Sequence, residues 1–493
     1  MSKPEEYMTK INLIAILILL SLLPSTVLSQ SKFGYDVEIG GYFATNEKLP
    51  YWMQANQFGV PPDSPNTALL TQHFYSKPDS VKKFFDYDYG LELNVLNGQQ
   101  TTIRLTEAYI RPKFGAFHLL VGRKKQVHGI GDSTLSSGSM TWSGNAQPIP
   151  EVQIGISEYQ KLLFNWFSFK GHISHGWFQE QTFVEDYFLH QKSLYFRIGK
   201  PNGKVKLHGG ILHSVQWGGT PKYETNENDG KTVNGKFPSD WFTFKQVFFP
   251  RAAIVDTTLG YSNFEVENRF GAHLGQVDFA AEVNTNSLTI LGYRQIPIET
   301  GRTIGSLSNL DDGVYGLSFK GKKEESFFQK LVVEYLFTMN QHSYQGLLAR
   351  LLDIPPKNYM NDAFLFNHQQ YFDGWSYNGR TIGSPFLIPQ SEIRTERKVD
   401  NDFVFVNNNR IRAFYLGFNG KINEVSLTLR TSFSKNFGAI TLPTPPAAQN
   451  SYFFQASIPL KRIGGSFKTS IALDQGNLIY DNYGVNISFC KSW

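Results

Sequence analysis

The chain has 493 residues, of which 41% are hydrophobic and 15% aromatic (41 Phe and 24 Tyr), with a formal net charge of +5. The single cysteine, Cys490, excludes an internal disulfide framework, and a mild charge without any basic run excludes a nucleic-acid partner. Beyond residue 29 no stretch of 18 apolar residues occurs, which excludes membrane-spanning helices, whereas many aromatics beside a modest hydrophobic total suit a wall that is greasy on one side only.

In chain order, Lys3 and Lys10, offset by Glu5 and Glu6, precede an apolar run from Ile11 to Leu23. That run is too short to cross a bilayer as a helix, and Pro24 ends it; residues 1–29 read as a signal peptide cut after Ser29. No cysteine lies near the cut, so a lipid anchor is not expected. The charge is unchanged by the cut, because two basic and two acidic residues leave together. Residues 30–493 then read as one domain. Asn46 to Lys83 carries Pro50, Pro61, Pro62 and Pro65 and a helical patch around Ala68 to His73, and is expected to be an insertion, either a lumenal plug or a periplasmic cap.

Period-2 alternation follows from end to end. Phe85, Tyr87, Tyr89, Leu91, Leu93 and Val95 alternate with Asp86, Asp88, Gly90, Glu92 and Asn94 up to the turn signal Asn97-Gly98, and Thr101 to Ile110 resumes the pattern. Lys222 to Asp240 reads as an exposed loop. Leu331, Val333, Tyr335, Phe337 and Met339 share a face, and Tyr344 to Lys398 is the longest interruption, opening on a helical turn at Gly346 to Leu352. Ile411 to Phe418 and Val425 to Phe433 flank Asn419-Gly420, a hairpin cue, while Phe467 to Leu473 precedes a turn at Asp474 to Asn477. In the last segment Tyr483, Val485, Ile487, Phe489 and Trp493 oppose Gly484, Asn486, Ser488, Cys490 and Ser492. Alternation alone fits either a soluble sandwich or a membrane barrel. A strand that stops on an aromatic residue resembles the signal read by the barrel-assembly machinery, and favours the barrel. The expected fold is all-β: a large antiparallel transmembrane β-barrel with a Pro-rich N-terminal insertion and long loops, bathed by outer-membrane lipid.

Several ordered runs then carry a resemblance. They are Leu119-Val121-Gly122-Arg123 with Gly129, and Ser136-Ser137-Gly138 leading to Ser143-Gly144-Asn145-Ala146 and Pro148-Ile149-Pro150. Leu189-His190-Gln191-Lys192-Ser193-Leu194 and Asp312-Gly313-Val314-Tyr315-Gly316-Leu317 follow, then Val333-Glu334-Tyr335-Leu336 through Gln341. The last are Tyr371 through Gly374-Trp375, Gly379-Arg380 and Gly383-Ser384-Pro385-Phe386. In this order they resemble the capsule-assembly Wzi family of outer-membrane proteins, in its Bacteroidetes-type form. The resemblance implies about 18 strands and a lectin-like role that holds capsular or other surface polysaccharide at the cell surface. It departs at the N-terminus, where enterobacterial-type members carry a helical bundle and Asn46 to Lys83 offers little helix.

Sugar binding calls for flat apolar faces and planar polar groups. Trp375, Tyr377, Asn378 and Arg380 supply both inside the longest loop, and Trp142 with Asn145, and Trp217 beside Gly218-Gly219, are further candidates. The plainer alternative is that these aromatics belong to the membrane girdle or fasten loops to the rim. Arg123, Arg380, Arg410 and Arg412 could meet an acidic glycan, although pairing with wall carboxylates such as Glu92 or Glu107 is the commoner use of a lumenal arginine. Asp311-Asp312 lacks the ligand count of a calcium site and reads as a turn. His172 and His175 fall on opposite strand faces, so no shared metal is expected, and no cofactor either. No G-x-S-x-G, H-E-x-x-H or C-x-x-C motif is present, so a non-catalytic protein is expected; a solute pore and an outer-membrane hydrolase are the alternatives.

Overall fold

The structure, a computed structural model, describes residues 33–77, 84–162, 164–179, 181–223, 230–250, 260–299, 310–341, 350–353, 366–401, 404–440 and 442–493. The expected signal peptide, most of the helical turn at 346–352 and much of the longest interruption lie outside them.

Alternation builds one antiparallel sheet of 18 strands. The first strand, Phe33–Ala44, pairs with both the second, Thr67–Ser76, and the last, Asn482–Ser492, in a register that sets Ile39 opposite Leu70 and Phe489. Ring closure leaves no sheet edge unpaired, as a sheet in a bilayer requires. Outward positions such as Ile39, Ile154, Leu207 and Phe279 are apolar and exposed. Inward positions such as Asn94, Gln191, Gln276, Asp278 and Glu334 are polar and buried. This inverts the usual arrangement of a water-soluble fold, and so large an apolar exterior calls for a lipid solvent. The last strand follows the expected parity: Tyr483, Val485 and Ile487 face out while Asn482, Asn486 and Ser488 are buried inside. Its terminal ring, Trp493, stacks on Tyr35 at 5.3 Å, and Trp493 N donates to Tyr35 O at 2.9 Å.

The start of the first strand, the end of the last and short turns such as 115–116 and 423–424 lie at one end of the barrel. The long connections 45–66, 124–150, 218–271 and 338–410 join strands at the other. Three expectations need correction. Ala68–His73 is part of a barrel strand rather than a helical patch. Asn419-Gly420 lies inside strand Ile411–Ile422, and the turn falls at Asn423-Glu424, where Asn423 takes a φ of 52°. Asp474 still belongs to strand Gly465–Gly476, so that turn starts later.

Candidate functional site

The lumen is filled by chain. From the long-connection end, parts of 45–66, 124–150 and 366–410 fold into it and share one hydrophobic core with the wall. Trp52, fully buried, packs 5.0 Å from wall Tyr415 and donates through Nε1 to wall Ser432 Oγ at 3.0 Å. The segment 45–66 is therefore a lumenal element, held further by Arg104, whose Nη1 donates to Gly59 O and Pro61 O at 2.9 Å each.

Inward wall side chains take up the backbone of 124–150, whose glycines and serines leave it irregular. Ile130 N donates to Asp278 at 2.9 Å, Ser137 N to Glu334 at 2.6 Å, Met140 N to Gln295 at 2.9 Å and Thr141 N to Gln276 at 3.0 Å. An irregular backbone inside a barrel needs such partners, since unpaired buried amides are costly. The segment 375–384 then lies across 140–145: Ser143 N donates to Ile382 O at 2.9 Å and Ser384 N to Met140 O at 3.0 Å. At Gly383 a Cβ would stand 2.4 Å from Met140 O, so only glycine allows the crossing.

Six of the seven expected site residues meet here. Trp375 donates through Nε1 to Thr141 O at 2.7 Å and meets Trp142 edge-on at 6.2 Å. Asn145 Nδ2 donates to Thr381 O and Oγ1, each at 3.0 Å, and Tyr377 OH to Gln179 Oε1 at 2.9 Å. These four side chains are buried, their faces covered by protein. Ser376–Tyr377 and Arg380–Thr381 form a small hairpin whose turn, Asn378-Gly379, has φ of 50° and 74°, which glycine and asparagine tolerate best. Exposed Asn378 bonds Gln147 Oε1 through Nδ2 at 2.9 Å. Arg380 Nη2 reaches Gln54 Oε1 at 2.8 Å and Asp63 Oδ1 at 3.2 Å. Trp217 stands apart, in a second hydrophobic cluster on the outer wall.

Above the plug a cavity of about 210 Å³ opens between the first connection, 379–398 and the last connection. Arg380 and Asn145 line it, together with Lys48, Tyr51, Glu392 and Tyr480, none of which the sequence had singled out. Lys48 Nζ pairs with Glu392 at 3.1 Å, and the Arg394 guanidinium lies 5.0 Å from the Tyr480 ring centroid. Asp63, with its side chain 72% exposed, bridges Arg380 and Arg104. The hairpin is anchored from behind by Asp373, whose carboxylate accepts from Thr182 N, Phe183 N and Val184 N at 3.0 Å each. Burial raises the Asp373 pKa, and those three donors oppose the rise.

The other arginines differ from expectation. Arg123 donates to Leu105 O at 3.0 Å and Arg410 to Met339 O at 3.4 Å. Arg412 faces outward against the rings of Phe337 and Phe437. Glu92 is instead held by Lys125 Nζ at 2.6 and 2.7 Å, and Glu107 by His73 at 3.3 Å and Lys125 N at 2.7 Å. His73, Glu92 and Glu107 bring potential ligand atoms within 4.8 Å, but the Lys125 ammonium already answers their charge. Two serine–histidine contacts line the lumen, Ser157–His118 at 2.9 Å and Ser193–His172 at 2.8 Å. The other ring nitrogen of each meets a glutamine, Gln153 or Gln191, rather than a carboxylate.

Residues 32–232 match the family model described as capsule assembly protein Wzi. Among solved structures the chain is similar to Wzi of Escherichia coli, described as an outer-membrane, carbohydrate-binding β-barrel involved in group 1 capsule assembly. That likeness has a TM-score of 0.56 at 14% identity and covers 97% of this chain and 87% of that one. Pseudomonas aeruginosa OccK5 (OpdH) follows with a TM-score of 0.46 at 10% identity, over 94% of this chain and 99% of that one. A search of curated proteins found no sequence match.

Proposed function

We propose, from the match of residues 32–232 to the capsule assembly Wzi family model, that the chain is a non-catalytic outer-membrane protein of that family that binds capsular or related surface polysaccharide at its long-loop end. The observation that carries this reading is the recess: a small cavity with planar polar and aromatic lining, seated on lumenal chain that shares a hydrophobic core with the wall. Its size, below the roughly 300–1,000 Å³ of clefts that engulf drug-sized ligands, suits one sugar residue of a chain that passes over the surface.

Arg380 and Tyr480 in the recess supply a guanidinium for hydroxyls or carboxylate and a ring for a sugar face, and Asn378, on the exposed hairpin turn beside it, adds an amide. Buried Trp142, Asn145, Trp375 and Tyr377 act by holding that surface rigid. Asp63, an exposed carboxylate, already accepts from both Arg380 and Arg104, and an acidic sugar would take its place. The strand Asn482–Ser492 is the segment offered to the barrel-assembly machinery, and turns such as 115–116 and 423–424 face the periplasm.

A glycan-binding screen on the refolded barrel tests the reading. The wild type is expected to retain surface polysaccharide, Arg380→Ala and Tyr480→Ala each to weaken binding about tenfold, equivalent to about 1.4 kcal/mol. Equal binding by both variants would remove the recess from consideration.

A further inference from the structure

Trp217 leads to a second feature. It lies on the outward face of strand Val205–Trp217, in line with the lipid-facing Leu207 and Ile211, yet it is buried. The cover is an eight-residue helix, Trp241–Phe248, that packs against the outside of the barrel near its long-loop end. Asp240 caps the helix by accepting from Thr243 N at 2.7 Å. Val247 is fully buried beside Val215 and Trp217, and the Phe244 ring lies 5.7 Å from both Trp217 and His190. Lys192, on the outward face of strand Phe188–Ile198, donates its ammonium to Phe248 O at the helix C-terminus.

The helix roofs a polar part of a largely greasy wall. His190 and Lys192 face outward here, and beside them His213 Nε2 meets His273 Nδ1 at 3.0 Å. Such groups are expensive against hydrocarbon but tolerable where headgroups begin. A helix satisfies its own backbone and can lie flat at that boundary, and tryptophan is enriched there. Two large side chains at the ends of this helix reach away from the barrel: Trp241 is 70% exposed and Phe249 61% exposed.

We infer that Trp241–Phe249 is an interfacial anchor, with Trp241 and Phe249 inserted into the acyl–headgroup boundary of the outer leaflet. The lipid assignment follows from continuity with the outward belt of the same strands, Leu194, Leu207 and Ile211. It rests on the outer-membrane reading above. The test uses the full barrel in vesicles whose lipids are brominated near the headgroup end of the acyl chain, comparing wild type with Trp241→Phe. The difference spectrum should be blue-shifted and quenched by those lipids, more than by lipids brominated at the chain end. A red-shifted, unquenched difference would place Trp241 in water, and a blue-shifted but unquenched one would place protein over it; either overturns the anchor. Flotation of both proteins with vesicles after carbonate washing separates the two readings, because loss of flotation overturns the membrane reading and the anchor with it.

Discussion

Glu265 illustrates how a single side chain couples this fold to pH. It sits in a short helix after Ser262, its carboxylate accepts from Gln370 Nε2 at 2.8 Å, and burial raises its pKa to about 7. The folded state therefore keeps a proton that the unfolded chain releases near pH 4.5. Its contribution is fully present below pH 4.5 and is lost as pH rises through about 7. Glu265→Gln keeps the acceptor for Gln370 and cannot ionise. Thermal melts of both proteins between pH 4.5 and 8 are expected to diverge, the variant gaining on the order of 3 kcal/mol at the alkaline end; parallel curves would contradict the assignment. Residue chemistry of this kind was only partly legible beforehand. The run Trp375 to Arg380 announced its sugar-binding residue types, but residue type does not tell which side of a loop is packed, and the two aromatics went inward while Asn378 and Arg380 stayed near the surface. Lys48, Tyr51 and Tyr480 gave no local signal, because a recess built from three distant connections leaves none in any one of them.

At the scale of elements, strands that touch only lipid and lumenal polar groups were readable by parity, as in Asn482–Ser492. Parity blurred in the second strand. In Thr67–Ser76 the buried residues include Leu69 on the inward face and Gln72 on the outward face, so the binary pattern is lost and the run passes for a helix. Asn419-Gly420 carries a turn signature, but pairing with Thr428 and Leu427 on one side and Lys330 and Phe328 on the other overrides it. The crossing of 375–384 over 140–145 is an element with no sequence pattern beyond its glycine. A methyl at residue 383 must displace Met140 O or the Phe366 ring, each 2.4 Å from the added Cβ. Gly383→Ala is expected to cost about 1–3 kcal/mol, felt in the plug rather than in the wall. Hydrogen exchange should then quicken at Ser143 and Ser384 while the strand amides keep their protection. Unchanged exchange at those two amides would mean that the crossing relaxes without strain.

For the whole molecule, the question is whether an 18-stranded wall serves as a conduit or as a pedestal. A barrel of this strand number can enclose an aqueous channel when its interior is left polar and empty. Here the inward polar side chains are spent on plug backbone: Gln276, Asp278, Gln295 and Glu334 each hold an amide of 124–150. The plug is in turn locked by carbonyls and side chains of 375–384, so the segments depend on one another. It follows that the purified protein should give no steady conductance in a planar bilayer. A variant lacking residues 344–398 loses Trp375, Thr381, Ile382 and Gly383 together, which leaves Trp142 and Asn145 without their partners. That variant is expected to show frequent open steps and to lose polysaccharide retention, because the recess and its floor share these residues. Steady conductance in the wild type would make the barrel a pore, whereas a silent deletion variant would show that 45–66 and 124–150 seal the lumen by themselves.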